Sequence, residues 1–227
     1  MVKREPKCLT EMTKHELLEY HIEDPMGWLC SGIGMLRAAF VVWSTYWNRF
    51  IADFRAGTRT PSQKDWMGFQ CDRFVGTYTL ICGLASENLL KGLLVAKRQL
   101  TCQNEKMPRE LNTHDLQCLA ADASLVLTPG ELEVLANLTK VITWQGRYPG
   151  PKDISRIEKT GPEVAKSWGL AGSFPTVYVE ILRGIAAEYA SVLSVGQVDF
   201  ITEVLNLVDE ECPKDRPEDI QQHKVPE

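Results

Sequence analysis

The strongest constraint on the fold is a regular spacing of large apolar residues between Leu29 and Phe54. The apolar positions are separated alternately by four and three residues, at Leu29, Ile33, Leu36, Phe40, Trp43, Trp47, Phe50 and Phe54. This period places them on one face of an α-helix, because a half-buried strand would alternate every second residue. Asp24 and Pro25 suit an N-cap and a first helical position. The sequence therefore predicts a long helix whose aromatic face lies in a bundle core, and not in a ligand cage.

A second helix is expected from about residue 65 to residue 100, and it is apolar nearly all round. Such a helix belongs at the centre of a bundle. Three glycines interrupt it, at Gly76, Gly83 and Gly92. Each costs roughly 1 kcal/mol relative to Ala in a helix interior, so we expect all three to allow close approach of a neighbouring helix.

Glu87 and Lys91 lie four residues apart on a face of this helix that is otherwise rich in leucine. Two interpretations are open. The residues form either an exposed ion pair, which stabilises a helix by a few tenths of a kcal/mol, or a partly desolvated pair. A desolvated pair is seldom a net gain in stability and asks for another explanation.

Further helices are predicted at about 113–125, from 129 to about 144, and at about 175–193, with one more short helix suggested by the weaker apolar stretch 198–208. Residues typical of N-caps lie at the start of the helix at 113–125, namely Thr113 and Asp115. Thr128, Pro129 and Glu131 give the same signal for the helix that begins at 129. No β-alternation of useful length occurs. The fold class is therefore all-α, an antiparallel up-and-down helical bundle with an additional C-terminal helix and a flexible acidic tail.

The length of 227 residues favours one domain with appendages over two full domains. We expect an N-terminal extension at 1–23, the helical bundle at 24–208 and an acidic tail at 209–227. The tail holds seven acidic residues, three basic residues and three prolines. A segment of that composition cannot bury enough apolar surface to fold, so disorder is expected.

The charge pattern and the cysteines point to a cytoplasmic protein. The longest runs without a charged residue are 13 residues, short of the roughly 20 that span a bilayer, and no apolar stretch follows the N-terminal charges. No membrane association is expected. The seven cysteines are odd in number and contain no C-x-x-C pair, which favours free thiols over disulfides or a zinc site. No metal or other cofactor is expected.

Common catalytic signatures are absent from the sequence. It contains no G-x-S-x-G, no P-loop, no dinucleotide-binding glycine pattern after a strand and no H-E-x-x-H. This argues against the common hydrolase, kinase and dehydrogenase chemistries.

Three ordered segments together resemble the HEPN domain: Ala85-Ser86-Glu87-Asn88-Leu89-Leu90-Lys91-Gly92, Thr113-His114-Asp115-Leu116 and Gly146-Arg147-Tyr148-Pro149. The resemblance extends over roughly residues 28–193, and its recognisable motifs cover about 66–150. It implies an antiparallel helical bundle, commonly a homodimer, in a family linked to RNA or nucleotide handling. Some members are ribonucleases in toxin, defence and RNA-processing systems, and others are non-catalytic partners of small nucleotidyltransferases.

The sequence departs from the pattern of the ribonuclease members, which use an Arg and a His separated by four to six residues. After Arg147, the positions that should hold the His are Lys152, Asp153 and Ile154. The resemblance therefore implies a protein that binds a nucleotide, an RNA or a nucleotidyltransferase partner without strong catalysis, within a toxin–antitoxin or defence system.

The candidate ligand-binding site comprises Glu87, Lys91, His114, Asp115, Arg147 and Tyr148. Lys91 and Arg147 would meet phosphate, and Glu87 would orient Arg147. His114 and Tyr148 would supply hydrogen bonds or stacking. Two alternatives remain open: a metal-independent ribonuclease that uses His114 and Arg147, and a structural or oligomerisation module in which the same residues only fix packing.

Overall fold

The computed structural model describes residues 12–55, 71–102, 104, 106–145 and 173–193, together with Thr202 and Asn206. Six α-helices occupy these ranges: α1 Lys14–Glu23, α2 Pro25–Arg55, α3 Cys71–Arg98, α4 Leu116–Asp122, α5 Pro129–Lys140 and α6 Ser173–Val192. A 3-10 turn at Arg109–Leu111 precedes α4, and a π-helical turn at Val141–Gln145 extends α5. No strand occurs in the described ranges, and the predicted all-α class is confirmed.

Helix α1 lies in the region that the sequence analysis treated only as an extension. Thr13 caps it: its Oγ1 accepts a hydrogen bond from the Glu16 backbone N–H at 3.2 Å, and the Glu16 carboxylate accepts from the Thr13 N–H at 2.9 Å. Ile22, near the end of α1, is only 4% exposed and belongs to the core. Helical structure that packs on the bundle therefore extends back to Lys14.

Helices α2 and α3 run antiparallel and form the main packing surface of the bundle. The ring centroids of Trp43 and Tyr78 lie 5.0 Å apart at one end, while Trp28 packs against Gly92 at the other. Asp24 caps α2 by accepting backbone hydrogen bonds from Met26 at 3.0 Å and Gly27 at 3.2 Å. The predicted N-terminus of the helix is confirmed.

The predicted apolar face of α2 is buried at Leu29, Ile33, Leu36 and Phe40, and Trp43 packs against this core. Trp47, Phe50 and Phe54 lie in the helix as predicted, but the structure does not describe their side chains.

Helix α3 is central, as predicted, because α2, α4, α5 and α6 all pack against it. Two tyrosines of α6 donate hydrogen bonds to backbone carbonyls of α3: Tyr178 to Cys82 at 2.8 Å and Tyr189 to Leu89 at 2.7 Å. The later tyrosine of α6 binds the later carbonyl of α3, so the two helices run in the same direction. Helix α2 is antiparallel to α3, and α6 is parallel to it. The predicted start near residue 65 lies outside the described residues.

The N-terminus of α4 differs from the prediction by two residues. Asp115, not Thr113, is the N-cap, and its Oδ1 accepts hydrogen bonds from the backbone N–H groups of Gln117 and Cys118, both at 3.0 Å. Thr113 stabilises the turn before the helix, because its Oγ1 accepts a hydrogen bond from the Asp115 N–H at 3.1 Å. A short acidic side chain can cap as well as a hydroxyl, and here the acid lies directly before the first helical residue.

Helix α5 begins as predicted, with Pro129 in its first turn and a capping box between Thr128 and Glu131. The predicted helix near 198–208 falls outside the described residues apart from Thr202 and Asn206, which are helical. The predicted tail at 209–227 and the segment 152–172 also lie outside them.

Two of the three glycines of α3 lie where a neighbouring helix approaches closely, as predicted. A Cβ at Gly83 would lie 2.5 Å from Ile142 Cγ2, and one at Gly92 would lie 2.7 Å from Trp28 Cβ and 3.2 Å from the Pro25 carbonyl oxygen. For Gly76 the prediction is wrong among the described residues, since none of their atoms lies within 4 Å of such a Cβ. The helix turns this position away from its neighbours.

Among the residues that the structure describes, two segments are long and apolar enough to cross a membrane by length and composition alone. They are Pro25–Thr45 and Gly76–Arg98, each with a mean hydropathy of 1.4. The second is 72% buried inside the protein, as expected for the core helix of a bundle, and the first is 33% buried.

Alanine substitution of these glycines should change the free energy of unfolding in opposite directions. Gly92→Ala forces its new methyl group against Trp28 and the Pro25 backbone, and we expect a loss of about 1–3 kcal/mol from overpacking. Gly76→Ala adds a methyl in open space and should stabilise the protein by about 0.5–1 kcal/mol through helix propensity. Urea denaturation of both variants measures the difference, and equal effects would contradict the helix packing described above.

Candidate functional site

Glu87 and Lys91 form a buried ion pair on α3. Lys91 Nζ lies 2.6 Å from Glu87 Oε1, and the two residues are only 5% and 8% exposed. This decides between the two interpretations left open by the sequence: the pair is desolvated. Burial of both charges carries a cost that their mutual attraction offsets only when the geometry is good and further hydrogen bonds are present.

On the side facing α2, the ion pair is covered by the aromatic ring of Trp28. The Trp28 ring lies over Lys91, with its centroid 5.9 Å from Nζ, a distance at which a cation interacts favourably with an aromatic face. The Trp28 indole is itself held in place, because its Nε1 donates a hydrogen bond to the Ile22 carbonyl at 3.0 Å. Helices α1 and α2 therefore cooperate to enclose the lysine.

His114 completes the cluster from a different part of the chain. Its Nδ1 lies 3.1 Å from Glu87 Oε1 and 3.0 Å from Glu87 Oε2. In contrast to the buried pair, the His114 side chain is 47% exposed. Glu87 thus links a buried cation to an imidazole that reaches the protein surface.

The chain on both sides of His114 is anchored in the core. Leu111 and Leu116 are fully buried, and the Leu116 N–H donates a hydrogen bond to Thr139 Oγ1 on α5 at 3.0 Å. Because the segment is fixed at both ends, the position of the imidazole does not depend on a free loop. His114 is therefore held against Glu87 by the fold and not only by their hydrogen bond.

Asp115 was predicted to bind ligand, and the structure gives its carboxylate another task. One carboxylate oxygen is occupied by the two backbone N–H groups at the start of α4. A capping role accounts for an acid at this position without any ligand. Asp115 is thus adjacent to the cluster in sequence and is not part of the Glu87, Lys91 and His114 contacts.

Arg147 and Tyr148 lie outside the described residues, so their predicted meeting with Glu87 stays a prediction. The segment that leads to them is described as far as Gln145. Its Ile142 is fully buried and packs against Gly83, which precedes Glu87 by one helical turn. The last described turn before Arg147 therefore lies against the N-terminal side of the same region of α3.

The contacts change the roles expected for two residues. Lys91 was expected to meet phosphate, but its Nζ is bound to Glu87 and is enclosed in the bundle. Glu87 was expected to orient Arg147, and in the described structure it holds His114. The arrangement can orient an imidazole, since a carboxylate that accepts from one ring nitrogen fixes the ring and its proton.

A buried polar network that the sequence pattern does not predict lies directly before the cluster on α3. Ser86 is fully buried, and its Oγ lies 2.9 Å from the Cys82 carbonyl oxygen and 3.0 Å from the Tyr178 hydroxyl. Desolvation raises the pKa of the Cys82 thiol to about 12, which disfavours its reactive thiolate form. The network joins α3 to α6. Its signal in the sequence is Tyr178, a polar side chain in the apolar face of α6. Within the described ranges no group of three or more metal-binding side chains occurs.

Removing one partner of the buried pair should be strongly destabilising. Glu87→Ala leaves the Lys91 ammonium buried without its counter-ion, and we expect a loss of about 3–5 kcal/mol in the free energy of unfolding. The double variant Glu87→Leu with Lys91→Met should recover most of this loss, because it removes both charges and fills their volume. Denaturant titration of the variants measures these differences.

The exposed ion pair between Glu180 and Arg183 on α6 provides a matched control. Glu180→Ala should change the free energy of unfolding by less than about 1 kcal/mol. If Glu87→Ala costs no more than Glu180→Ala, the pair is not desolvated as described.

Comparison of the chain with family models, with curated proteins and with solved structures finds no match. The resemblance to the HEPN domain therefore rests on the three sequence segments alone.

Proposed function

We propose that the protein is a HEPN-like, nucleotide- or RNA-associated binding protein of a toxin–antitoxin or defence system, without catalytic activity of its own. The observation that carries the proposal is the half-exposed His114 held by a buried Glu87–Lys91 pair. Three of the six residues expected at the ligand site make this contact, and they come from two of the segments that resemble the family.

The energetics of the pair support a functional role. Replacing a buried ion pair by apolar residues of similar volume is often neutral or stabilising, so stability alone does not explain why Glu87 and Lys91 occupy a leucine-rich helix. Orientation of His114 is a task that apolar residues cannot perform. In this proposal Lys91 is a positioning residue for the Glu87 carboxylate and does not touch the ligand.

Arg147 and Tyr148 provide the ligand contacts that Lys91 cannot make. A guanidinium binds a phosphate through two parallel hydrogen bonds, and a tyrosine ring stacks on a nucleobase. The segments 91–109 and 140–159 each hold five basic residues, which favours phosphate on an otherwise acidic protein. The resemblance also supports a homodimer with a small nucleotidyltransferase as partner, and the charge pattern and cysteines support a cytoplasmic location.

Binding titrations test this proposal directly. We expect a fluorescent oligoribonucleotide or ATP to bind the wild-type protein, and Arg147→Ala to weaken that binding about tenfold or more through loss of a charge-assisted contact. Arg183→Ala, which removes an exposed arginine of α6, is the control and should bind as the wild type does. The proposal is contradicted if the wild-type protein binds neither the oligoribonucleotide nor ATP.

A second candidate function is favoured by one contact, the hydrogen bond between Glu87 and His114. A carboxylate that orients an imidazole is the arrangement of a general base, and His114 with Arg147 would then form a metal-independent ribonuclease. Incubation of the protein with mixed RNA in the presence of EDTA distinguishes the two functions. We expect intact RNA; cleavage that disappears in His114→Ala would establish the ribonuclease instead.

A further inference from the structure

The two ring nitrogens of His114 have different surroundings. Nδ1 faces both oxygens of Glu87, at 3.1 and 3.0 Å. Glu87 Oε1 also accepts a hydrogen bond from the Lys91 ammonium at 2.6 Å. A carboxylate held by a cation acts only as an acceptor, so the hydrogen between the imidazole and Glu87 belongs to Nδ1.

This assignment determines what the other nitrogen can do. When the imidazole carries a single proton, that proton is on Nδ1, and Nε2 presents a lone pair. Within the described part of the chain Nε2 has no hydrogen-bond partner, and the side chain is 47% exposed. The cluster therefore presents a hydrogen-bond acceptor in a fixed direction at the surface.

An acceptor nitrogen selects among the groups of a nucleotide. Phosphate oxygens are themselves acceptors and do not match it. The sugar 2′-hydroxyl is a donor, it is common to all ribonucleotides whatever their base, and deoxyribonucleotides lack it. Amino groups on the bases also donate, but they differ from base to base.

We infer that Nε2 of His114 accepts a hydrogen bond from the 2′-hydroxyl of a bound ribonucleotide, so that the site selects ribose over deoxyribose. The inference depends on the proposed function for the presence of a nucleotide and goes beyond it by naming the sugar and the atom that recognises it. Glu87 is the positioning residue, because it acts through the orientation and the proton of the imidazole.

The test compares ribose and deoxyribose forms of the same probe at about pH 8, because alkaline pH favours the neutral form of an imidazole. A labelled uridine oligonucleotide and its deoxyuridine counterpart represent a strand, and ATP and 2′-deoxy-ATP represent a free nucleotide. For whichever source binds, we expect the ribose form to bind about five- to tenfold more tightly, the value of one additional hydrogen bond.

Two substitutions of His114 separate its two nitrogens. His114→Asn keeps a donor near the position of Nδ1 and removes the acceptor, so the preference for the ribose probe over the deoxyribose probe should disappear. His114→Gln places an amide near the position of Nε2 and should retain part of the preference. His21→Asn, at an exposed histidine of α1, is the control and should bind as the wild type does.

Nitrogen NMR of the ring provides a readout that does not depend on any ligand. In the free protein at pH 8 we expect the His114 proton on Nδ1, and in Glu87→Gln a mixture of the two tautomers. A proton on Nε2 in the wild type overturns the inference, as do equal affinities for the ribose and deoxyribose probes. If no probe binds but the proton is on Nδ1, the proposed function fails and the ribose contact with it, while the Glu87–His114 assignment stands.

Discussion

The desolvated ion pair between Glu87 and Lys91 is the interaction on which the candidate site depends. Two charges enclosed in a bundle need further partners, and these come from separate parts of the chain: the Trp28 ring over Lys91 and the His114 ring beside Glu87. Each partner is held in turn, Trp28 by the Ile22 carbonyl and the segment after His114 by Thr139. The pair thus organises contacts among α1, α2, α3, α4 and α5.

Much of the fold could be predicted from local pattern. Apolar periodicity located α2, α3 and α6, and the capping box at Thr128 located the start of α5. Helix α1 was missed because its apolar residues are few, although Thr13 and Glu16 carry the same capping signal. The π-helical turn after α5 has no local signature in the sequence; its Ile142 packs against Gly83 of α3.

The candidate site was predictable only in part, because its contacts are tertiary. Spacing alone brings Glu87 and Lys91 together on one helical turn, but their burial depends on what α1 and α2 place over them. The contact of His114 with Glu87 spans 27 residues of sequence, and no helical period encodes it. A sequence that offers both Thr113 and Asp115 as caps also leaves the start of α4 uncertain by two residues, until the buried Leu116 selects one of them.

The two tyrosines of α6 limit how this bundle could move. The Tyr178 hydroxyl donates to the Cys82 carbonyl and the Tyr189 hydroxyl to the Leu89 carbonyl. The two tyrosines are 11 residues apart on α6, and the two carbonyls are seven residues apart on α3. Sliding α6 by one turn, about 5.4 Å, would break both bonds and leave buried polar groups unsatisfied. The two bonds therefore hold α6 against sliding along α3, and we expect a conformational response to an occupied site in the elements around these two helices.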